Sequence, residues 1–136
     1  MGSRQSNSIN KEKLNLYSDI PILDSPHLGG NIVRRPEDLH MAFEVRNYSS
    51  RMDFSNYFLN ELKKYLSNFF NNVEIDKNDI LINNKKVIGT SYLGEDDLFV
   101  VTIFIAFIDS SKIIHDLFSN YNKEPGFIDP NILSKQ

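Results

Sequence analysis

Residues 79–92 read DILINNKKVIGTSY, two short apolar runs separated by Asn83–Asn84, with Lys85 and Lys86 leading into Gly89. The isoleucines and valine suit a pleated, half-buried surface. An asparagine pair between such runs is compatible with the positive φ angles of a two-residue hairpin turn. A hairpin is therefore predicted here, its second strand running to Gly94 and GEDD (94–97) making the next turn. The adjacent lysines are more than a turn requires. They are either a solvated edge that discourages strand pairing or a deliberately placed positive charge.

Downstream, LFVVTIFIAFI (98–108) is too short to cross a bilayer as a helix. Its β-branched and aromatic content predicts a strand buried on both faces, or nearly so. Upstream, LHMAFEV (39–45) alternates, placing Leu39, Met41, Phe43 and Val45 on one face of a strand. From Asp53 the period changes: Phe54, Phe58, Leu62, Leu66 and Phe69 recur at helical spacing, with Tyr57, Tyr65 and Phe70 widening the stripe. Asp53 is read as the N-cap of this helix and Asn71–Asn72 as its exit. VEI (73–75) is a further short strand, and Asp109 or Ser110 is expected to cap a second helix containing Ile113, Ile114, Leu117 and Phe118. The proline steps and double glycine within 14–33 predict extended pieces and turns, with no helix before Asp38. The tail is expected to pack as an irregular arm through Phe127, Ile128 and Ile132. The order strand, helix, antiparallel strands, helix predicts an α+β fold, a mostly antiparallel sheet with helices packed on one face. Residues 1–13 are read as a flexible segment and 14–136 as a single compact domain.

Composition narrows the chemistry. The 136-residue chain has no cysteine, which removes disulfides and thiolate catalysis and suits a reducing, cytoplasmic setting. A net charge of −3 supplies no overall attraction to nucleic acid or anionic membrane. The first residues lack the apolar core of a secretion signal. His27, His40 and His115 are far apart and match no metal-ligand spacing. No phosphate-cradling loop, dinucleotide fingerprint or nucleophile elbow is present. Glu95, Asp96 and Asp97 read as a solvated turn.

Around the hairpin, KNDILINNKKVIGTS (77–91) supplies Asn78 and Asp79, a strand, a turn, Lys86, and then Gly89, Thr90 and Ser91. LFVVTIFIAFIDSSKIIHDLF (98–118) follows as a long strand ending at an aspartate before a helix. In these features the chain resembles the lipoate-protein ligase and octanoyltransferase family, which shares a catalytic fold with biotin-protein ligases. The resemblance covers roughly residues 33–118. It implies transfer of a lipoyl or octanoyl group to a carrier-domain lysine, with Lys86 as the catalytic cation. Thr90 and Ser91 would orient polar groups of the ligand, beside Gly89, and Asn78 or Asp79 would contact an adenylate or its metal. Arg34, Arg35 and His40 would border the acyl pocket. ATP and magnesium are implied if the chain is ligase-like, and a lipoyl domain or acyl carrier protein is the implied partner. The family follows its paired arginines with a glycine triplet, whereas RRPEDLH (34–40) places Pro36, Glu37 and Asp38 there. Gly29 and Gly30 precede the arginines instead. The insert restricts φ and adds two negative charges where a phosphate would lie. A competing reading follows: a noncatalytic interaction or assembly module with its own protein partner, of the kind phage and mobile elements build on metabolic folds. A concave pocket with Lys86 near its floor would suit the enzyme; a filled pocket and a solvent-facing Lys86 would suit the module.

Overall fold

Asn83 and Asn84 both adopt left-handed backbone angles, φ 52° and 64°, in a computed structural model that describes residues 10, 12–17, 19, 33–118 and 123–134. His27, Gly29, Gly30 and the proline steps at 21 and 26 lie outside the described residues, as does most of segment 1–13. Two consecutive positive φ values give a turn whose twist matches that of the flanking strands. The turn joins β3 (Asp79–Ile82) to β4 (Lys85–Glu95) as predicted. The remaining strands are β1 (Leu39–Arg46), β2 (Val73–Asp76), β5 (Leu98–Ile105) and the two-residue β6 (Glu124–Pro125). Sheet order is β1-β5-β4-β3-β2, antiparallel throughout, with β6 pairing in parallel with the start of β4.

One irregularity sets the geometry of β4. Ile80 pairs with Ile88 but Leu81 with Lys86, so Val87 is an extra residue in a β-bulge. In a regular strand Lys86 and Gly89, three positions apart, would project from opposite faces. The bulge puts both on the face that Asp79 shares, because Asp79 pairs with Gly89.

Helix α1 (Arg51–Leu66) covers the other face. It begins earlier than predicted because Ser50 is the N-cap, its side chain accepting from the Asp53 N–H at 3.0 Å, so Asp53 sits inside the first turn. It also ends before Phe69 and Phe70, which leave the helical path. Phe54 and Phe58 pack on Phe43, and Phe54 on Phe99. Beneath them Leu59, Ile80, Ile88, Phe99, Val101 and Ile103 are buried. Complete burial of each such side chain contributes about 1.5–3 kcal/mol. Because α1 lies on one side only, Phe99, Val101 and Ile103 of β5 are buried there, while Val100, Thr102 and Phe104 on its reverse are half-buried. The expectation of near-complete burial on both faces is corrected accordingly, and β5 stops at Ile105.

Helix α2 (Ser111–Leu117) starts beside Asp109, whose Oδ1 accepts from the Ser111 N–H at 2.9 Å; Ser110, at the cap position, makes no side-chain cap bond. Leu117, Phe118 and Val33 form a second apolar cluster with Leu14, Tyr17, Ile113 and Ile114. Leu14–Tyr17 is a 3-10 turn rather than the extended piece predicted. Asn10 donates its N–H to the Leu117 carbonyl at 2.5 Å. The tail is more regular than expected: Ile128 is buried, and helix α3 (Pro130–Leu133), capped by Asp129, packs Leu133 on the main core. Phe127 by contrast stays exposed. The architecture is the expected α+β class, a mostly antiparallel sheet with helices on one face. Among the described residues no helix is long and apolar enough to cross a membrane.

Candidate ligand site around Lys86

The two lysines of the hairpin diverge. Lys86 Nζ lies 3.3 Å from Asp79 Oδ1, its side chain about a quarter exposed. The stem runs across Gly89: a Cβ built there would come within 3.0 Å of Lys86 Cε and 3.2 Å of Nζ. Gly89 therefore leaves the space in which the ammonium rests. Lys85 instead lines a cavity of about 350 Å³ with Ile82, Val87, Asp109, Glu124 and Phe127. The Ser111 hydroxyl and backbone N–H hold the Asp109 carboxyl below its usual range, with Lys85 and His115 adding to the effect. None of the residues predicted from sequence to form the site lines this cavity.

Strand pairing collects several of those residues on the face turned away from α1. His40 pairs with Phe104, Phe104 with Gly89, and Gly89 with Asp79, a single row across four strands. The His40 and Phe104 rings meet edge to face at 6.3 Å. With strands about 4.8 Å apart, His40 and Asp79 are roughly 14 Å from each other. Phe104 thus forms an apolar floor between a histidine and an anchored lysine. Ser91 pairs with Thr102 in the next row and shares this face.

The other predicted residues are not in this row. Thr90 points to the α1 side by the strand's alternation, and both its N–H and its hydroxyl donate to the Asn78 carbonyl, at 3.0 and 2.7 Å. Its hydroxyl is therefore used inside the hairpin. Asn78 contributes that carbonyl and is otherwise exposed. Arg34 is exposed and Arg35 half-buried in the loop before β1. That loop is tied down by Asp38, whose carboxylate accepts from the N–H groups of Arg35 at 3.2 Å and Phe107 at 2.9 Å.

Lys123 is the participant that sequence reasoning missed. Its ammonium reaches Asp79 Oδ2 at 2.5 Å, so each oxygen of that carboxylate faces a cation. A divalent metal needs free oxygen donors, and Asp79 in this arrangement does not fit as a magnesium ligand. Among the described residues no group of three or more acidic or histidine side chains converges as a metal site. Lys123 comes from a tail whose pattern signalled only irregular structure, and nothing local marks its partner.

Comparison with solved structures identifies the fold as that of the lipoate-protein ligases. P. falciparum LipL1 in complex with lipoate superposes with a TM-score of 0.70 at 17% identity, over 98% of this chain and 43% of that one. A T. acidophilum protein assigned as a lipoate protein ligase, with bound lipoic acid, gives 0.73 at 11% identity, over 96% of this chain and 58% of that one. Lipoate-protein ligase A bound with ATP gives 0.70 at 11% identity, over 99% and 59%. The chain thus spans about half the length of the structures it matches. No family model matches the sequence. No curated protein matches it either.

Proposed function

We propose that this chain binds a lipoyl or octanoyl group on the α1-free face of its sheet and serves its transfer to a carrier-domain lysine. The observation that carries this reading is the Lys86 ammonium, lying over Gly89 with Asp79 Oδ1 at 3.3 Å. The likeness in fold to ligases solved with lipoate and with ATP supports it. In the proposed step the unprotonated carrier amine attacks the acyl carbonyl, an amide bond forms, the bond to the adenylate phosphate or carrier thiol breaks, and the amine's proton passes to the departing phosphate or thiolate or to solvent. The carbonyl oxygen gains negative charge along the way. A held ammonium stabilises that charge more than it stabilises the ground state. Arg34 and Arg35 are the proposed clamps for a phosphate or carboxylate through their planar donor forks. His40 and Ser91, on the face of Lys86, orient the ligand's polar groups, and Phe104 receives its chain.

Incubation with ATP, lipoate or octanoate, and a carrier domain, read by intact mass, tests this. An acyl-carrier thioester is supplied in parallel, since a transferase is silent with ATP. Transfer is expected with wild type and lost with Lys86→Ala; transfer indifferent to that substitution removes the mechanism.

A second reading, an interaction module, draws on β1. It forms one edge of the sheet, and Leu39 and Met41 on its core face remain 39% and 45% exposed. A partner strand added there would cover both. Absence of acyl binding and transfer under both donor regimes favours this module.

A further inference from the structure

We infer that Lys123 is a positioning residue for Lys86: by occupying Asp79, it leaves the Lys86 ammonium open to an anionic group arriving over Gly89. This rests on the role given to Lys86 above. The Asp79 carboxylate holds one negative charge between two cations, and the shorter contact, 2.5 Å, belongs to Lys123. Lys86 meets the other oxygen at 3.3 Å, beyond the 2.7–2.9 Å or so of a well-formed charged hydrogen bond. Lys86 is therefore the less committed of the two cations that meet Asp79.

Lys123 is itself anchored. Its ammonium also donates to the Asp76 carbonyl at 3.1 Å and lies 3.4 Å from Asp76 Oδ2. The side chains of Lys123 and Asp79 are only 17% and 15% exposed, whereas that of Asp76 is 46% exposed and more open to screening by water and salt. The same segment holds the backbone of Lys86: Pro125 of β6 pairs with it, and the Gly126 N–H donates to its carbonyl at 2.8 Å. The C-terminal arm thus fixes where Lys86 sits and neutralises the anion that would otherwise capture it. Without Lys123, the poorly hydrated Asp79 carboxylate draws Lys86 into a full ion pair, and less positive charge faces a ligand.

Labelling with an amine-reactive ester, resolved by peptide mass spectrometry, tests this without a ligand. The exposed Lys63 and Lys64 serve as internal references. In Lys123→Met, Lys86 labelling is expected to fall about tenfold as the Asp79 pair tightens. In Lys123→Arg it stays near wild type, and in Asp79→Asn/Lys123→Met it recovers. Unchanged labelling in Lys123→Met, or no recovery in the double variant, overturns the inference. If far-UV circular dichroism shows Lys123→Met unfolded, Lys123→Gln takes its place in the comparison. Octanoate calorimetry on the same proteins separates the two claims. No binding by wild type, with the labelling pattern intact, removes the acyl-group reading and leaves the positioning role standing. Equal octanoate binding by wild type and Lys123→Met overturns the role.

Discussion

Asp38 Oδ1 accepts a hydrogen bond from the Phe107 N–H at 2.9 Å, joining the loop that carries Arg34 and Arg35 to the chain just beyond β5. Its other oxygen accepts from the Arg35 N–H at 3.2 Å. The Pro-Glu-Asp insert therefore has a structural use. Asp38→Ala leaves two backbone donors without their partner and is expected to cost about 1–2 kcal/mol. Chemical denaturation measures it, and an unchanged midpoint would show the clip to be dispensable.

Gly94 has φ +121°, and a Cβ there would fall 2.6 Å from the Leu98 carbonyl oxygen. Gly94→Ala is expected to destabilise by about 1–3 kcal/mol through backbone strain. Gly89→Ala differs in kind, because its Cβ would meet the far end of the Lys86 side chain rather than backbone. Its stability should fall by less than about 1 kcal/mol, while octanoate affinity falls. Thermal melts paired with calorimetry separate the two glycines.

Asn84 occupies a left-handed position with φ 64°. Asn84→Ala should cost about 1 kcal/mol, since a Cβ without a local hydrogen bond is disfavoured there. Asn84→Gly should be neutral or stabilising. The reverse ranking in melting temperature would contradict the turn described.

The Tyr17 hydroxyl donates to Asp116 Oδ2 at 2.5 Å. That bond lowers the carboxyl pKa of Asp116 and raises the phenol pKa of Tyr17. The depressed carboxyl contributes stability above its unfolded pKa, and this is lost as pH falls through the folded value. The raised phenol contributes below about pH 10, and this is lost as pH rises through its folded value. Stability of Tyr17→Phe relative to wild type, followed across pH, should therefore converge at both extremes. A pH-independent difference would rule the bond out as its source.

Leu59 of α1 is buried, 2% exposed, whereas Met52, seven residues earlier at the start of the helix, is 73% exposed. Leu59→Ala should cost about 2–5 kcal/mol through cavity formation, and Met52→Ala less than about 0.5 kcal/mol. Urea titration distinguishes them, and similar losses would refute the packing of α1.

Between Leu39 and Leu117 the element types and their order were legible in the residues themselves, because strand and helix periods depend on neighbours only a few positions away. The Asn83–Asn84 turn, the alternation of β1 and the Phe54, Phe58, Leu62 and Leu66 stripe of α1 read correctly, whereas Tyr57 and Tyr65 stay exposed and Phe69 and Phe70 fall beyond the helix. Element ends were less legible, since Ser50 rather than Asp53 caps α1 and the cap is settled by backbone path.

The site divides along the same line. Chain order alone placed Lys86, Gly89 and Asp79 in one hairpin. That they share a face depends on the bulge at Val87, a pairing choice made between strands. That Asp79 answers to Lys123 depends on a tail returning from 44 residues away. Long-range pairing of charges leaves no periodic trace in a sequence, because its energy is gained only once the sheet has brought the partners together.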